Sequence, residues 1–167
     1  GPDLGKDSIK AGIVSLSIGF ALVILFMFFK YRIFGLISNI SLISNLLMLT
    51  GILTILEATL TLPGIAGIIL TVGMAVDSNV LIYERIKEEL KTEKSVIHAF
   101  DIGYNKAKIT VLDANITTLI AASILFIFGS GPVKGFAVTL GIGIITTLFS
   151  AYYIARHMTS IIVLNSK

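Results

Sequence analysis

The chain has 167 residues, of which 55% are hydrophobic and 14% are charged, with a net charge of +3 and a mean hydropathy of +0.95. A soluble domain carries roughly 25% charged residues, so the composition argues against one, and the hydrophobicity excludes a disordered chain. With no cysteine and two histidines, neither disulfides nor a metal site are expected. The basic residues are spread between apolar runs, so we expect no nucleic-acid partner.

Long apolar runs dominate the chain and predict an all-α architecture. Asp, Glu, Lys and Arg are absent from residues 11–29, 33–56, 58–76, 114–133 and 135–155, and about 20 apolar residues cross a bilayer as one helix. The runs are continuous rather than alternating, which disfavours a β-barrel. We therefore predict a single transmembrane domain over residues 1–167, a helix bundle with five spans at about 11–29, 33–55, 64–84, 109–128 and 135–155. Pro63 suits the first turn of the third span.

The distribution of Lys and Arg predicts the orientation of the spans. One set of connections holds ten basic residues and the other holds three, Lys6, Lys10 and Lys134. Because basic residues favour the cytoplasmic side, the N-terminus is expected in the periplasm and the C-terminus in the cytoplasm.

The longest polar segment, residues 85–108, is expected at the cytoplasmic membrane interface. Within it, apolar or small residues recur at three- and four-residue spacing. That spacing gives one apolar stripe and predicts a short helix lying in the plane of the interface. A solvated helical linker is the alternative. The stripe consists of Val96, Ala99, Phe100, Gly103 and Ala107.

Asp77 is the residue that points most clearly to a function. It lies inside the third span, where a charged side chain costs about 2.5–3.5 kcal/mol on insertion scales. An apolar environment disfavours the charged form of a carboxyl group, so such a group is suited to gain and lose a proton. Intramembrane carboxylates often belong to proton relays. The alternative is an Asp that only forms a hydrogen bond to a neighbouring helix.

Asp113, at the start of the fourth span, is a second candidate for the relay. Thr117 shares its helix face at a spacing of four, and Asn79 and Asn115 are further polar groups that could assist Asp77. Asp113 near a helix start is also favoured by the helix dipole, and this alternative stays open.

Two patterns predict how the helices pack. Ser38, Ser41 and Asn45 form a polar stripe in the second span that should point into the bundle and join helices. Small residues recur every four positions in the third and fifth spans, as expected for close helix approach: Gly67, Thr71, Ala75 and Asn79, and Gly135, Thr139, Gly143 and Thr147.

Several segments resemble, in the right order, signatures of the SecD family of bacterial protein-export subunits. They are LPGIAG at 62–67, GMAVDSNVLIYERIKEE at 73–89, DANITT at 113–118 and GSGPVKGFAVTL at 129–140. The resemblance extends over essentially the whole chain and is most specific over 62–140.

This resemblance implies a fold and a function. SecD-like proteins belong to the RND superfamily and carry six spans, with a large periplasmic region between the first two. The chain therefore corresponds to the C-terminal membrane portion, without the first span and the periplasmic domain. The resemblance implies a SecF-like partner, the SecYEG channel, YidC in many bacteria, an exported protein as substrate and the bacterial inner membrane as location. It implies use of the proton motive force, with protons in place of a cofactor, and matches Asp77 to the family's membrane carboxylate and Asp113 to its DAN-TT pattern.

Three other function classes compete with a proton-driven subunit that is not an enzyme, and the weakest is small-molecule efflux by an RND-like relative, for which the sequence offers no drug-binding region. In the first, the chain is a structural subunit for assembly and Asp77 never titrates. In the second, Asp77 and Asp113 are the paired carboxylates of an intramembrane aspartyl protease. The Gly-x-Gly-Asp signature of that class is absent, because Ala75 and Val76 precede Asp77.

Overall fold

The computed structural model describes residues 2–58, 61–92 and 95–165. In these ranges it has helices and no strands: α1 Pro2–Tyr31, α2 Ile33–Ile55, α3 Leu62–Leu90, α4 Val96–Phe128, α5 Pro132–Phe149, a π-helical segment Ser150–Ala155 and α6 Arg156–Asn165. Five helical stretches of the described chain are long and apolar enough to cross a membrane: Gly5–Tyr31, Ile33–Ile55, Leu62–Leu90, Val96–Phe128 and Pro132–Ile161. The predicted all-α architecture with five spans is confirmed.

The starts of α3 and α4 are fixed by hydroxyl side chains. Thr61 accepts a hydrogen bond from the backbone N–H of Gly64 at 3.1 Å, and Pro63 lies in the first turn of α3, as predicted. Ser95 accepts one from the backbone N–H of His98 at 3.4 Å. Each cap satisfies a donor that the first helical turn leaves without an intrahelical partner.

The packing of α3 against α5 is set by small residues. A Cβ atom built on Gly67 would lie 3.0 Å from the side chain of Thr139, and one built on Gly143 would overlap the hydroxyl of Thr71. The predicted close approach of the two small-residue stripes is confirmed here. α3 also contacts α1, α2 and α4, so it is the central helix of the bundle.

The prediction of a separate short helix at the interface is wrong. α4 runs without interruption from Val96 to Phe128, so residues 96–107 begin the same helix that continues into the fourth span. Ala99, Phe100, Gly103 and Ala107 are buried, whereas Val96 is exposed. A Cβ atom on Gly103 would lie 2.8 Å from the Cα atom of Ile86. The apolar stripe therefore packs against α3, because its small residues let the two backbones approach closely.

The fifth span extends beyond its predicted end at residue 155. The chain turns through the π-helical segment Ser150–Ala155 and continues as α6. The predicted end was the end of the charge-free run 135–155, but a helix can leave the bilayer without ending. Carbonyl groups of the π-helical segment accept hydrogen bonds from other helices: Tyr104 donates to Ala151 at 2.5 Å and Ser41 to Ser150 at 3.2 Å.

Candidate functional site

Asp77 faces away from the core of the bundle. Its side chain is exposed, although its neighbours Val76 and Ser78 are buried. It lies midway along α3, within a stretch able to span a membrane. Among the described residues, no hydrogen bond or ion pair reaches the Asp77 carboxylate.

A groove between α3 and α4 contains Asp77 and has a volume of about 120 Å³. We call it the Asp77 groove; its lining residues are Met74, Asp77, Ser78, Leu81, Val111, Ala114, Asn115 and Thr118. Three of its polar side chains donate to the backbone of their own helix. Ser78 donates to the Met74 carbonyl at 2.9 Å, Asn115 to the Val111 carbonyl at 2.7 Å and Thr118 to the Ala114 carbonyl at 3.1 Å. The groove is therefore polar on both walls but supplies no cation for the carboxylate.

Of the residues predicted to assist Asp77, the structure brings only Asn115 into this groove. Asn115 is 5% exposed and forms part of the α4 wall. Asn79 is 3% exposed and lies two residues beyond Asp77, which places it about 200° around the helix. It therefore faces the interior of the bundle on the opposite side of α3. Its place in the small-residue stripe, which packs against other helices, was the signal for this in the sequence.

Asp113 and Thr117 are exposed on α4 and do not line the Asp77 groove. The Thr117 hydroxyl donates to the backbone carbonyl of Asp113 at 2.8 Å, so it does not hold the Asp113 carboxylate. A protease would need two carboxylates sharing one site, and the groove holds only Asp77. The described residues also contain no group of three or more His, Asp or Glu side chains that could hold a metal ion.

A second polar cluster lies inside the bundle, between α2 and the end of α5 with the π-helical segment that follows it. We call it the polar seam; it consists of Ser41, Asn45, Thr147 and Ser150. The Asn45 amide donates to the Thr147 hydroxyl at 3.0 Å, and Ser41 donates to the Ser150 carbonyl. Ser38, Ser41 and Asn45 are at most 1% exposed. The prediction that the polar stripe of the second span joins helices is confirmed.

Charged residues at the end of α3 form links that the sequence analysis missed. Glu84 accepts a hydrogen bond from Tyr31 at 2.7 Å and lies 3.7 Å from the Lys30 ammonium, which ties α3 to α1. Glu89 accepts from Lys106 at 2.8 Å, which ties α3 to α4. Such pairs join residues on different helices and depend on helix packing, so no local sequence pattern could reveal them.

Comparison with known proteins places this architecture in a family. The family described as protein export membrane protein SecD/SecF, C-terminal, matches residues 1–165. The chain belongs to the SecD/SecF family. It is 58% identical over 162 residues to the protein translocase subunit SecD of Desulfurispirillum indicum, covering 97% of this chain and 32% of that protein. It is 52% identical over 167 residues to SecD of Magnetococcus marinus, covering all of this chain and 32% of that protein.

A solved structure shares the fold of the whole described bundle. The crystal structure of SecDF, a translocon-associated membrane protein from Thermus thermophilus, superposes with a TM-score of 0.94 at 43% identity. The match covers 99% of this chain and 23% of that protein. The chain thus spans about a third of the curated SecD relatives and about a quarter of SecDF, as a multi-pass membrane bundle. The resemblance to SecD predicted from the sequence is confirmed.

Proposed function

We propose that the chain is the C-terminal membrane portion of a subunit that assists protein translocation through the Sec channel of the bacterial inner membrane. The support is the family membership, the identity to proteins named as translocase subunits and the membrane-spanning bundle. The substrate of this activity is an exported protein in transit. A SecYEG channel and, in many bacteria, YidC complete the assembly.

The proposed energy source is the proton motive force, with Asp77 as the proton relay. The observation that carries this proposal is the exposure of Asp77 in a polar groove midway along a membrane-spanning helix, with no partner among the described residues. Charged side chains in such helices normally face a bundle interior, a water-filled cavity or an opposite charge. A carboxylate on the outer surface therefore requires something beyond this chain to complete its environment.

A SecF-like subunit is proposed to cover the Asp77 groove. Family descriptions name SecD and SecF together, and the SecDF relative is about four times as long as the part that matches here. A partner helix seated on α3 and α4 would exclude lipid from the carboxylate and could bring the opposite charge. Asn115 then lies at the interface beside Asp77, whereas Asp113 and Thr117 contribute only where the partner or water extends around α4.

The proposed orientation follows from the excess of basic residues at one end of the bundle. The α1–α2 turn, the α3–α4 connection and α6 lie on the cytoplasmic side, and the start of α1 lies in the periplasm. With this orientation Asp77 is nearer the cytoplasmic end of α3, because it is 15 residues from Leu62 and 13 from Leu90.

Proton flux in proteoliposomes tests the relay. The full-length subunit is reconstituted with its partner subunit, the channel and an export substrate, and Asp77→Asn is compared with wild type. We expect flux that depends on substrate in wild type and a near-complete loss of it in the variant, because an amide does not take up and release a proton as a carboxyl group does. Asp77→Glu should retain part of the flux. Glu88→Gln, which removes an exposed carboxylate at the helix end, is the matched control and should leave it unchanged.

The same experiment separates the relay from the assembly role. The exposed carboxylate would also suit a fixed ion pair with the partner, in which case Asp77→Asn weakens co-purification of the two subunits. Intact complexes without flux support the relay. Unchanged flux in intact Asp77→Asn complexes would falsify it and leave the chain as a structural subunit.

A further inference from the structure

A cavity of about 240 Å³ lies at the end of the bundle that carries the basic residues and shares no lining residue with the Asp77 groove. It is formed by the α1–α2 turn, the end of α3, the start of α4 and α6. Its wall is almost entirely apolar and comes from four helices. The apolar lining residues are Phe34, Ile86, Leu90, Val96, Phe100 and Val163.

The rim of the cavity is basic. Lys30, Arg32 and Lys87 line it and have exposed side chains, whereas Phe100 and Val163 deeper in the wall are 4% exposed. Glu84 lies 3.7 Å from the Lys30 ammonium and 3.8 Å from that of Lys87. Lys30 and Lys87 therefore share one carboxylate and Arg32 adds a third cation, which leaves the rim with an excess of two positive charges.

Arg32 is the rim residue least explained by the fold. It is the single residue between α1 and α2 and has a φ of 57°, a region that L-residues seldom adopt. Its guanidinium has no carboxylate partner among the described residues. Backbone strain of this kind tends to persist at ligand sites.

Two buried hydroxyl groups also line the cavity. Tyr83 and Thr159 are 5% and 2% exposed, and neither hydroxyl makes a hydrogen bond of good geometry. Both side chains line the same cavity, so a ligand bound there can offer them hydrogen-bond acceptors. Buried polar groups without partners are few in native proteins and commonly mark an unfilled ligand or water site.

We propose that this cavity binds one anionic phospholipid, with an acyl chain against the apolar wall and the phosphate at Arg32 and Lys87. Basic pockets between transmembrane helices on the cytoplasmic side suit anionic headgroups, and an Arg guanidinium matches the geometry of a phosphate group. The apolar wall would accept an alkyl chain. The buried hydroxyls of Tyr83 and Thr159 could donate hydrogen bonds to the ester oxygens of the lipid. The lipid would join α1, α3, α4 and α6 at their ends. This proposal does not depend on proton transfer at Asp77.

The excess positive charge favours a lipid over a segment of protein. An apolar peptide would fill the wall but would leave Arg32 without a partner, whereas a phospholipid supplies apolar and anionic parts in one molecule. A free phosphate ion would satisfy the rim but would leave the apolar wall empty.

Native mass spectrometry of the full-length protein with its partner subunit tests the site. The complex is released from micelles with phosphatidylglycerol or phosphatidylcholine of identical acyl chains, and lipid retention is measured. We expect one strongly retained phosphatidylglycerol and far less phosphatidylcholine. Arg32→Gln with Lys87→Gln should weaken retention about 30-fold, since each basic residue contributes about 1 kcal/mol of attraction to anionic lipid. Lys108→Gln, at the same end of the bundle but outside the cavity, should not.

Variants that fill the cavity with a larger side chain distinguish a site for an acyl chain from simple attraction of lipid to a charged surface. Val163→Phe, or Thr159→Leu if the first variant does not fold, keeps every rim charge and should abolish retention. Retention that survives filling, or that falls equally in Lys108→Gln, overturns the proposal in favour of diffuse attraction. A segment of protein occupying the cavity in an experimental map of the full-length complex would also overturn it.

Discussion

The polar seam and the Asp77 groove solve the problem of polar groups in a membrane in opposite ways. The seam is buried and uncharged, with Asn45 0% exposed and its amide nitrogen bonded to Thr147, while its amide oxygen has no partner among the described residues. The groove is on the outer surface and carries a carboxylate without a partner among the described residues. Neutral amides and hydroxyls can be satisfied by neighbouring helices of the same chain. A carboxylate needs a proton, water or a cation, and the described residues place no cation in the groove beside Asp77. The difference indicates that the seam stabilises the fold, whereas the Asp77 groove is suited to a group supplied from outside this bundle.

The largest effect on stability is expected from exchanging the two kinds of side chain, with a carboxylate in the seam and an amide in the groove. Asn45→Asp places an unpaired charge in the seam and should lower the free energy of unfolding by about 3 kcal/mol or more. Asp77→Asn should change it by less than about 0.5 kcal/mol, because the side chain is exposed. Helical circular dichroism during denaturation in mixed micelles measures both.

Acidification provides the control for this exchange. Protonation of the introduced carboxyl removes the buried charge, so lowering the pH should restore part of the stability of Asn45→Asp and leave wild type less affected. Equal stability of the two variants at neutral pH would contradict the distinction between seam and groove.

A smaller effect on stability is expected at the contact between α5 and α3, the helix that carries Asp77. Gly143→Val should lower the free energy of unfolding by about 1–3 kcal/mol, because added atoms must displace Thr71. Gly141→Ala is the matched control, since its Cβ atom would meet only Leu119 at 4.0 Å. Thermal melting in micelles compares them, and similar loss in both variants would show that the crossing is not tightly packed.

The smallest effect concerns one hydrogen bond of the seam. A double-mutant cycle with Asn45→Ala and Thr147→Ala should give a coupling of about 0.6 kcal/mol, the mean for such bonds between transmembrane helices. The coupling is read from the unfolding free energies of the two single variants and the double variant. A value near zero would mean that the seam positions helices by shape alone.

The sequence was sufficient for the spans and for the polar stripe of α2, because a charge-free run and a repeated polar face are local properties. It was insufficient for the surroundings of Asp77. The small-residue stripe indicated that Asn79 packs inside the bundle, but no local pattern indicated that α4 places Asn115 and Thr118 in a groove beside Asp77. The start of α4 and the extension into α6 were missed because charges were taken as ends of helices. A helix ends only where its backbone hydrogen bonds end. Charged residues can belong to a helix that extends from the membrane into water.

The π-helical segment affects the direction in which the buried face of the last membrane-spanning stretch points. Buried residues occur every four positions along it, at Thr139, Gly143, Thr147, Ala151, Ala155, Thr159 and Val163. In an α-helix of 3.6 residues per turn, a four-residue repeat drifts about 40° at each step, and six steps would carry the buried face well over half a turn around the axis. A wider π turn winds less per residue and sets part of that drift back. The segment thus corrects the drift of the buried face, so that one continuous edge meets α3 at Thr139 and Gly143, the polar seam at Thr147 and the apolar cavity at Thr159 and Val163.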